Sequence, residues 1–184
     1  MISLNAFFWI FVFLFAIVGA MRGWSKELLV TFAVILSLFI ITVVEKLPIV
    51  GAALTKTPEV DFFFRITIMI LLVFFGYQTP SLGRFASSTR FAREKLQDSL
   101  LGFLLGAING YLFIGSILYF LQVAYDLMGT GEYPIKFIMP IPPNTEAAIA
   151  YAQLLKVLPP VWITGIGLLV AVALAFAFIL IVFI

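Results

Sequence analysis

The chain has no cysteine and no histidine among its 184 residues, and only 11% of it is charged. Without cysteine there is no disulfide and no thiolate nucleophile. Without histidine there is no imidazole base and no imidazole ligand for haem or a chlorophyll magnesium. A zinc site built from the two residue types is excluded as well. Charge is as scarce, since a soluble domain carries about 25% charged residues. The net charge of +2 is too small to suggest a nucleic-acid partner. What fills the chain instead is apolar: 64% of it is hydrophobic, with 21 phenylalanines, against about 45–50% in soluble domains. Too few polar residues remain to cover a surface in water. The expected fold class is therefore all-α, a small polytopic membrane helical bundle with the lipid bilayer as its first partner.

A spanning helix needs about 20 mostly apolar residues. Five segments qualify, at about 4–21, 27–44, 61–79, 99–124 and 160–184. The first lacks a positively charged leader region and a small-residue cleavage site, and runs into Arg22, so it reads as a retained helix. In the third span Asp61 and Arg65 are four residues apart. That spacing lets them pair on one helical face at the headgroup level, or lets Arg65 snorkel outward. With five spans, the loops after the first and third lie on one side and hold Arg22, Lys26, Arg84, Arg90, Arg93 and Lys95. The opposite loops hold fewer basic residues, diluted by acidic ones. The bias of short basic loops toward the cytoplasm puts loops 22–27 and 80–98 inside and the N-terminus outside.

Residues 126–159 differ in kind. "GTGEYPIKFIMPIPPN" is punctuated by proline and glycine and reads as loop. "TEAAIAYAQLLKVLPP" reads as a short helix capped by Asn144 and stopped before Pro159. Its apolar residues Ala147, Ala150, Tyr151, Leu154 and Leu158 share a face. Two readings fit this pattern: an amphipathic helix lying in the membrane interface, or a loop helix packed over the bundle. The organisation expected is thus a four-helix membrane core over 1–125, an extracytoplasmic loop with a short helix over 126–159, and an additional transmembrane helix over 160–184.

No catalytic constellation is legible. The few carboxylates sit at expected helix margins or in loops, none deep enough in a span to suggest a proton relay. Serines and threonines are scattered, with no histidine to act as base. "GTGEY" has no lysine after its glycines and reads as a turn rather than a phosphate cradle. No enzymatic activity, cofactor or metal is expected.

The informative stretch is "GFLLGAING". Gly102, Gly106 and Gly110 recur every four residues, about 40° apart around a helix, and form a smooth, slowly winding groove. Each glycine weakens a helix by about 1 kcal/mol relative to alanine. In lipid, where close packing drives association, small residues let backbones approach. The groove receives another helix of the bundle, a second copy of the chain, or a lipid or small molecule. Asn109, beside the last glycine, lies about 15 Å into the span at 1.5 Å per residue, near the midplane. A buried amide there reads as interhelical glue. "MRGWSKELL" reads as a tight hairpin: Gly23 makes the turn, Arg22 and Lys26 hold it in the cytoplasm, and Glu27 suits the positive end of the next helix.

Together these stretches carry a resemblance. "RGWSKELL" after the first span resembles the Arg-Gly-aromatic-x-x-Glu-Leu hairpin of the colicin V production protein (CvpA) family. "SLLGFLLGAINGYLFIGSILYFL" resembles the family's Gly-x-x-x-Gly-x-x-Arg-Gly fourth span. The order of the elements fits over about 1–125. The chain departs from the family pattern in three places: Asn109 stands where arginine is usual, Asn5 where aspartate is common, and the fifth span exceeds the usual four. The resemblance implies a bacterial inner-membrane protein of toxin production or export and envelope homeostasis. Its partners would be other membrane proteins, or a second copy met through the fourth helix. Two further functions stay open, an accessory scaffold subunit of a larger, energy-converting membrane complex and a small transporter or channel.

Overall fold

The computed structural model describes residues 3–78, 92–136 and 138–183. The chain is a polytopic bundle of α-helices, with no strand among the described residues. Eight helices follow in order: α1 Leu4–Arg22, α2 Trp24–Glu45, α3 Pro48–Thr55, α4 Pro58–Tyr77, α5 Ala92–Met128, α6 Glu146–Leu155, α7 Pro159–Trp162 and α8 Gly165–Phe183. Of these, α1, α2, α4 and α5 are long and apolar enough to cross a membrane.

Local chemistry sets the boundaries. Ser3 caps α1 by accepting from the Ala6 amide at 3.2 Å. Gly23 breaks α1 from α2 at φ +86°, a conformation that a side chain resists. Proline opens both α3 and α4, where its missing N–H costs nothing. The short helix α3 was not visible in the sequence, where "PIVGAALT" is simply apolar between two spans. The fourth span starts earlier than expected, at Ala92 rather than Ser99, and its 37 residues extend about 55 Å. Arg84 and Arg90 of the expected basic loop lie outside the described residues.

Helix α5 is the axis of the bundle. α1 lies antiparallel along it, α2 and α4 pack on it and on each other, and α8 leans on α2. α1 and α2, although joined by one residue, scarcely touch; α5 holds them. The core runs from Phe8, Val30, Val34 and Met69 to Leu118, Leu121 and Leu158. Outward faces stay apolar, with Trp9, Phe13, Phe63, Phe74 and Phe75 exposed, as suits a surface solvated by lipid tails.

The later segments depart from the expected bounds. The short helix is capped by Thr145, whose hydroxyl accepts from the Ala148 amide at 3.2 Å. Asn144, the expected cap, sits one residue earlier at φ +62°. The helix ends at Leu155, and its Tyr151 and Leu154 are buried in the core cluster. The chain then descends along the bundle. Leu158 and Pro159 pack on Gly115, thirteen residues before the end of α5, about 20 Å along its axis. The last helix starts at Gly165, because the chain breaks from helical geometry at Ile163.

Candidate functional site

The glycine stripe is filled from within. A Cβ on Gly102 would lie 2.3 Å from the Gly19 carbonyl oxygen, and one on Gly106 2.3 Å from that of Phe15. At Gly110 it would meet Phe15 Cβ at 2.8 Å and Val12 Cα at 2.9 Å. Of the three occupants considered, α1 of the same chain takes the groove; self-association through this helix would have to use another of its faces. The sequence reading missed Gly19, the partner glycine. Its signal was the run Ala16, Gly19, Ala20, Gly23, small residues at helical spacing. One more bond stitches the contact: Ser99 Oγ donates to the Ala20 carbonyl at 2.9 Å.

Such close backbones bring the polar residues of three elements together. Asn109 and Glu27 are both fully buried, at 0% exposure. The Asn109 amide donates to Glu27 Oε2 at 2.8 Å and to the Glu27 carbonyl oxygen at 2.9 Å. Its own oxygen accepts from Thr31 Oγ1 at 2.7 Å. The orientation of the amide follows from this network, since the flipped form would set oxygen against carboxylate. Arg22 Nη1 meets Glu27 Oε1 at 2.5 Å. Its Nη2 donates to the Tyr77 carbonyl at 3.0 Å, and the guanidinium lies 4.2 Å from the centre of the Tyr77 ring. Arg22 of α1 thus closes the C-terminus of α4, where a cation suits the helix dipole, and neutralises the acid of α2.

The hairpin turn is held from α5 as well. Gly23 has no side chain to cap α2, and Asp98 of α5 supplies one, accepting from the Trp24 amide at 3.1 Å. A Cβ on Gly23 would come within 2.7 Å of both Asp98 carboxylate oxygens. Arg22, Gly23, Glu27, Gly102, Gly106, Gly110 and Asn109, singled out from two distant stretches, therefore meet in one place. Thr31, Tyr77 and Asp98 join them and were not foreseen.

Asn109 is the eighteenth of the 37 residues of α5, at the middle of that helix, and pairs with the first two turns of α2. The carboxylates Glu27 and Asp61 lie in the first turns of α2 and α4, at helix margins as expected, yet both are buried. Glu27 is fully buried and Asp61 is 6% exposed.

Asp61 belongs to a second ionic site at the far end of α2. Arg65 Nε and Nη2 contact Asp61 Oδ2 at 3.0 and 2.8 Å, the pairing expected from their spacing. Arg65 Nε also lies 3.2 Å from Glu45 Oε1, and its guanidinium carbon is 5.2 Å from the centre of the Phe120 ring. It does not snorkel away from the bundle; its side chain is only 18% exposed.

Beyond this level the loop after α5 builds an aromatic cap. Tyr125 and Tyr133 stack with ring centres 4.6 Å apart, and Tyr133 reaches Gln122 Oε1 at 3.4 Å. Burial first, and then the neighbouring Tyr125 and Asp126, push the Tyr133 phenol up to about 12. Burial raises that of Tyr151 as well. Lower down, Tyr111 donates to the Val157 carbonyl and accepts from Trp162 Nε1 at 3.2 Å, fastening the returning chain to α5.

Chemically, the node around Asn109 is a clamp. Both Glu27 oxygens and both ends of the Asn109 amide are engaged, by Arg22, Asn109 and Thr31. Among the described residues no group of three or more acidic, cysteine or histidine side chains is placed to hold a metal. At Asn109, where the resembled pattern has arginine, the chain places a neutral amide between Glu27 and Thr31.

No curated protein and no solved structure matches the chain. A family model does, the one described as colicin V production protein, over residues 4–133. The match takes in α1 to α5 and the start of the loop beyond, and so every residue of the clamp. On that match, which spans well over half of its length, the chain belongs to the colicin V production protein family.

Proposed function

We propose that this multi-pass membrane protein works in a bacterial inner membrane, in toxin production or export or in envelope homeostasis, and that it acts through protein partners rather than by catalysis. In this reading loops 22–27 and 80–98 face the cytoplasm and the N-terminus lies outside. The observation that carries it is the closed clamp at Arg22, Glu27 and Asn109. With the polar groups of the clamp committed to each other, the bundle offers its surfaces to other molecules. The family match supports the process.

Purification in mild detergent from native membranes, followed by identification of co-purifying chains, tests the proposal. Co-purification with toxin-export or envelope components, together with loss of toxin release or envelope integrity on deletion of the gene, is the expected result. A partnerless monomer whose deletion changes neither phenotype would sink it. A stoichiometric large complex of energy-converting subunits would favour the second reading, an accessory scaffold. That reading draws on the broad apolar faces of α1 and α8, where Trp9, Phe13, Leu174 and Phe176 are exposed.

A further inference from the structure

The two buried ionic sites brace opposite ends of α2, and they differ in charge balance. At the hairpin end Glu27 meets Arg22, one acid to one base. At the far end two acids, Glu45 and Asp61, share Arg65. We propose that Glu45 binds a proton at neutral pH, which makes the junction of α2, α4 and α5 a proton-binding site.

The geometry assigns the proton to Glu45 rather than Asp61. Arg65 has a single Nε–H, and Asp61 Oδ2 takes it at 3.0 Å; Nη2 points to the same oxygen at 2.8 Å. Glu45 Oε1 lies 3.2 Å from Nε but receives no hydrogen bond. Asp61 therefore holds the guanidinium, and Glu45 has only its proximity. Asp61 Oδ1 is itself buried without a donor, so the pocket already carries an unanswered acceptor. A second unbalanced negative charge beside it is costly at such burial. The Glu45 side chain is 29% exposed against 9% for Asp61, which leaves it within reach of protons from water.

No other described group relieves the imbalance. On α4, Glu59 is exposed and of the wrong sign, as is Asp126 on α5. α3 and α8 carry no ionisable side chain. Lys46 and Lys56, flanking α3, are exposed, and among the described residues the ion pairs of both carboxylates go to Arg65 alone. Glu45 is also well placed to transmit its charge. It is the last residue of α2, and α3 folds back onto it so closely that a Cβ on Gly51 would meet the Glu45 carbonyl oxygen at 2.1 Å. Loss of the proton adds repulsion where α2, α3 and α4 meet.

The test compares wild type with Glu45→Gln in detergent between pH 5 and 8. Wild type should lose stability as pH rises, by up to about tenfold in the folding equilibrium per pH unit relative to the variant, the slope for one bound proton. Glu45→Gln, a neutral mimic of the protonated acid, should lack that component, while the exposed control Glu59→Gln keeps it. Parallel curves for wild type and Glu45→Gln would overturn the proposal. A second readout needs no variant to fold: the wild type at pH 7 should show an infrared carboxylic-acid band that disappears at high pH. Absence of that band at pH 7 would also overturn it.

Discussion

Replacing Glu27 by leucine is the sharpest probe of the clamp. The change keeps a side chain of similar length at a fully buried position but removes the countercharge of Arg22. That guanidinium, only 18% exposed, keeps its bond to the Tyr77 carbonyl and loses its acid. Breaking a buried ion pair from one side costs about 3–5 kcal/mol, because the surviving charge stays desolvated. Asn109 also loses one of its two acceptors, Oε2, and keeps the Glu27 carbonyl. Against a typical total of about 5–15 kcal/mol, the loss is a large part of the stability of the fold. Arg22→Met should cost a similar amount for the mirror-image reason. The double variant removes both charges, and apolar replacements of a buried pair are often close to neutral. Its loss should therefore fall short of the sum of the singles by several kcal/mol, an excess set by the pair itself. Denaturation of the four proteins in one mild detergent measures the cycle. If Glu27→Leu stays within about 1 kcal/mol of wild type, or if the double variant simply adds, the buried pair does not hold the hairpin.

Other substitutions follow from the same contacts. Gly106→Ala should destabilise by about 1–3 kcal/mol, since the new methyl meets the α1 backbone and neither helix can give way; Gly167→Ala, with nothing within 4 Å, should be neutral or slightly stabilising in the same melt. Asn109→Leu should cost about 1–3 kcal/mol by stripping donors from buried Glu27; unchanged stability with abolished activity would instead make Asn109 a working residue rather than glue. Asp98→Ala should uncap α2 and cost about 0.5–2 kcal/mol, seen as faster amide exchange at Trp24. The Tyr133 phenol, pushed up to about 12 by burial, stays neutral in the fold after it would ionise in the unfolded chain. Its contribution is therefore full below about pH 10 and disappears as pH rises through 12, so alkaline melts should flatten in Tyr133→Phe, with tyrosinate absorbance as the check.

The residue types of α1, α2, α4 and α5 announced those helices, because lipid imposes a length and a composition that few other structures need. Their ends were less legible. The extra turns of α5 before Ser99 are polar, "AREKLQD", and resemble loop once a span is sought by hydropathy alone. The clamp was legible in its members and not in their meeting. Asn109 and Glu27 are 82 residues apart, and nothing in local periodicity says which helix a groove will accept. One signal was available: a buried amide needs partners, and few polar residues compete. Asp98 is detectable by a similar argument, since a helix that begins after glycine must borrow its cap. The burial of Glu27 was not legible because first-turn acids usually face water; here α5 covers it.

The same contrast explains why α2 carries an acid in its first turn and another at its end. Neither Glu27 nor Glu45 is paired within α2: Arg22 comes from α1 and Arg65 from α4. The helix is thus held by its neighbours at both ends, with an apolar shaft of Val30, Val34, Leu38 and Ile41 between. At the hairpin end the charges cancel and two hydrogen bonds from Asn109 add direction, so that end is fixed. At the far end the second acid leaves the charge unbalanced, and there the position of α2 depends on a proton. A helix clamped at one end and titratable at the other can change its far contacts without disturbing the hairpin. In the proposed topology that far end faces away from the cytoplasm, where pH varies most.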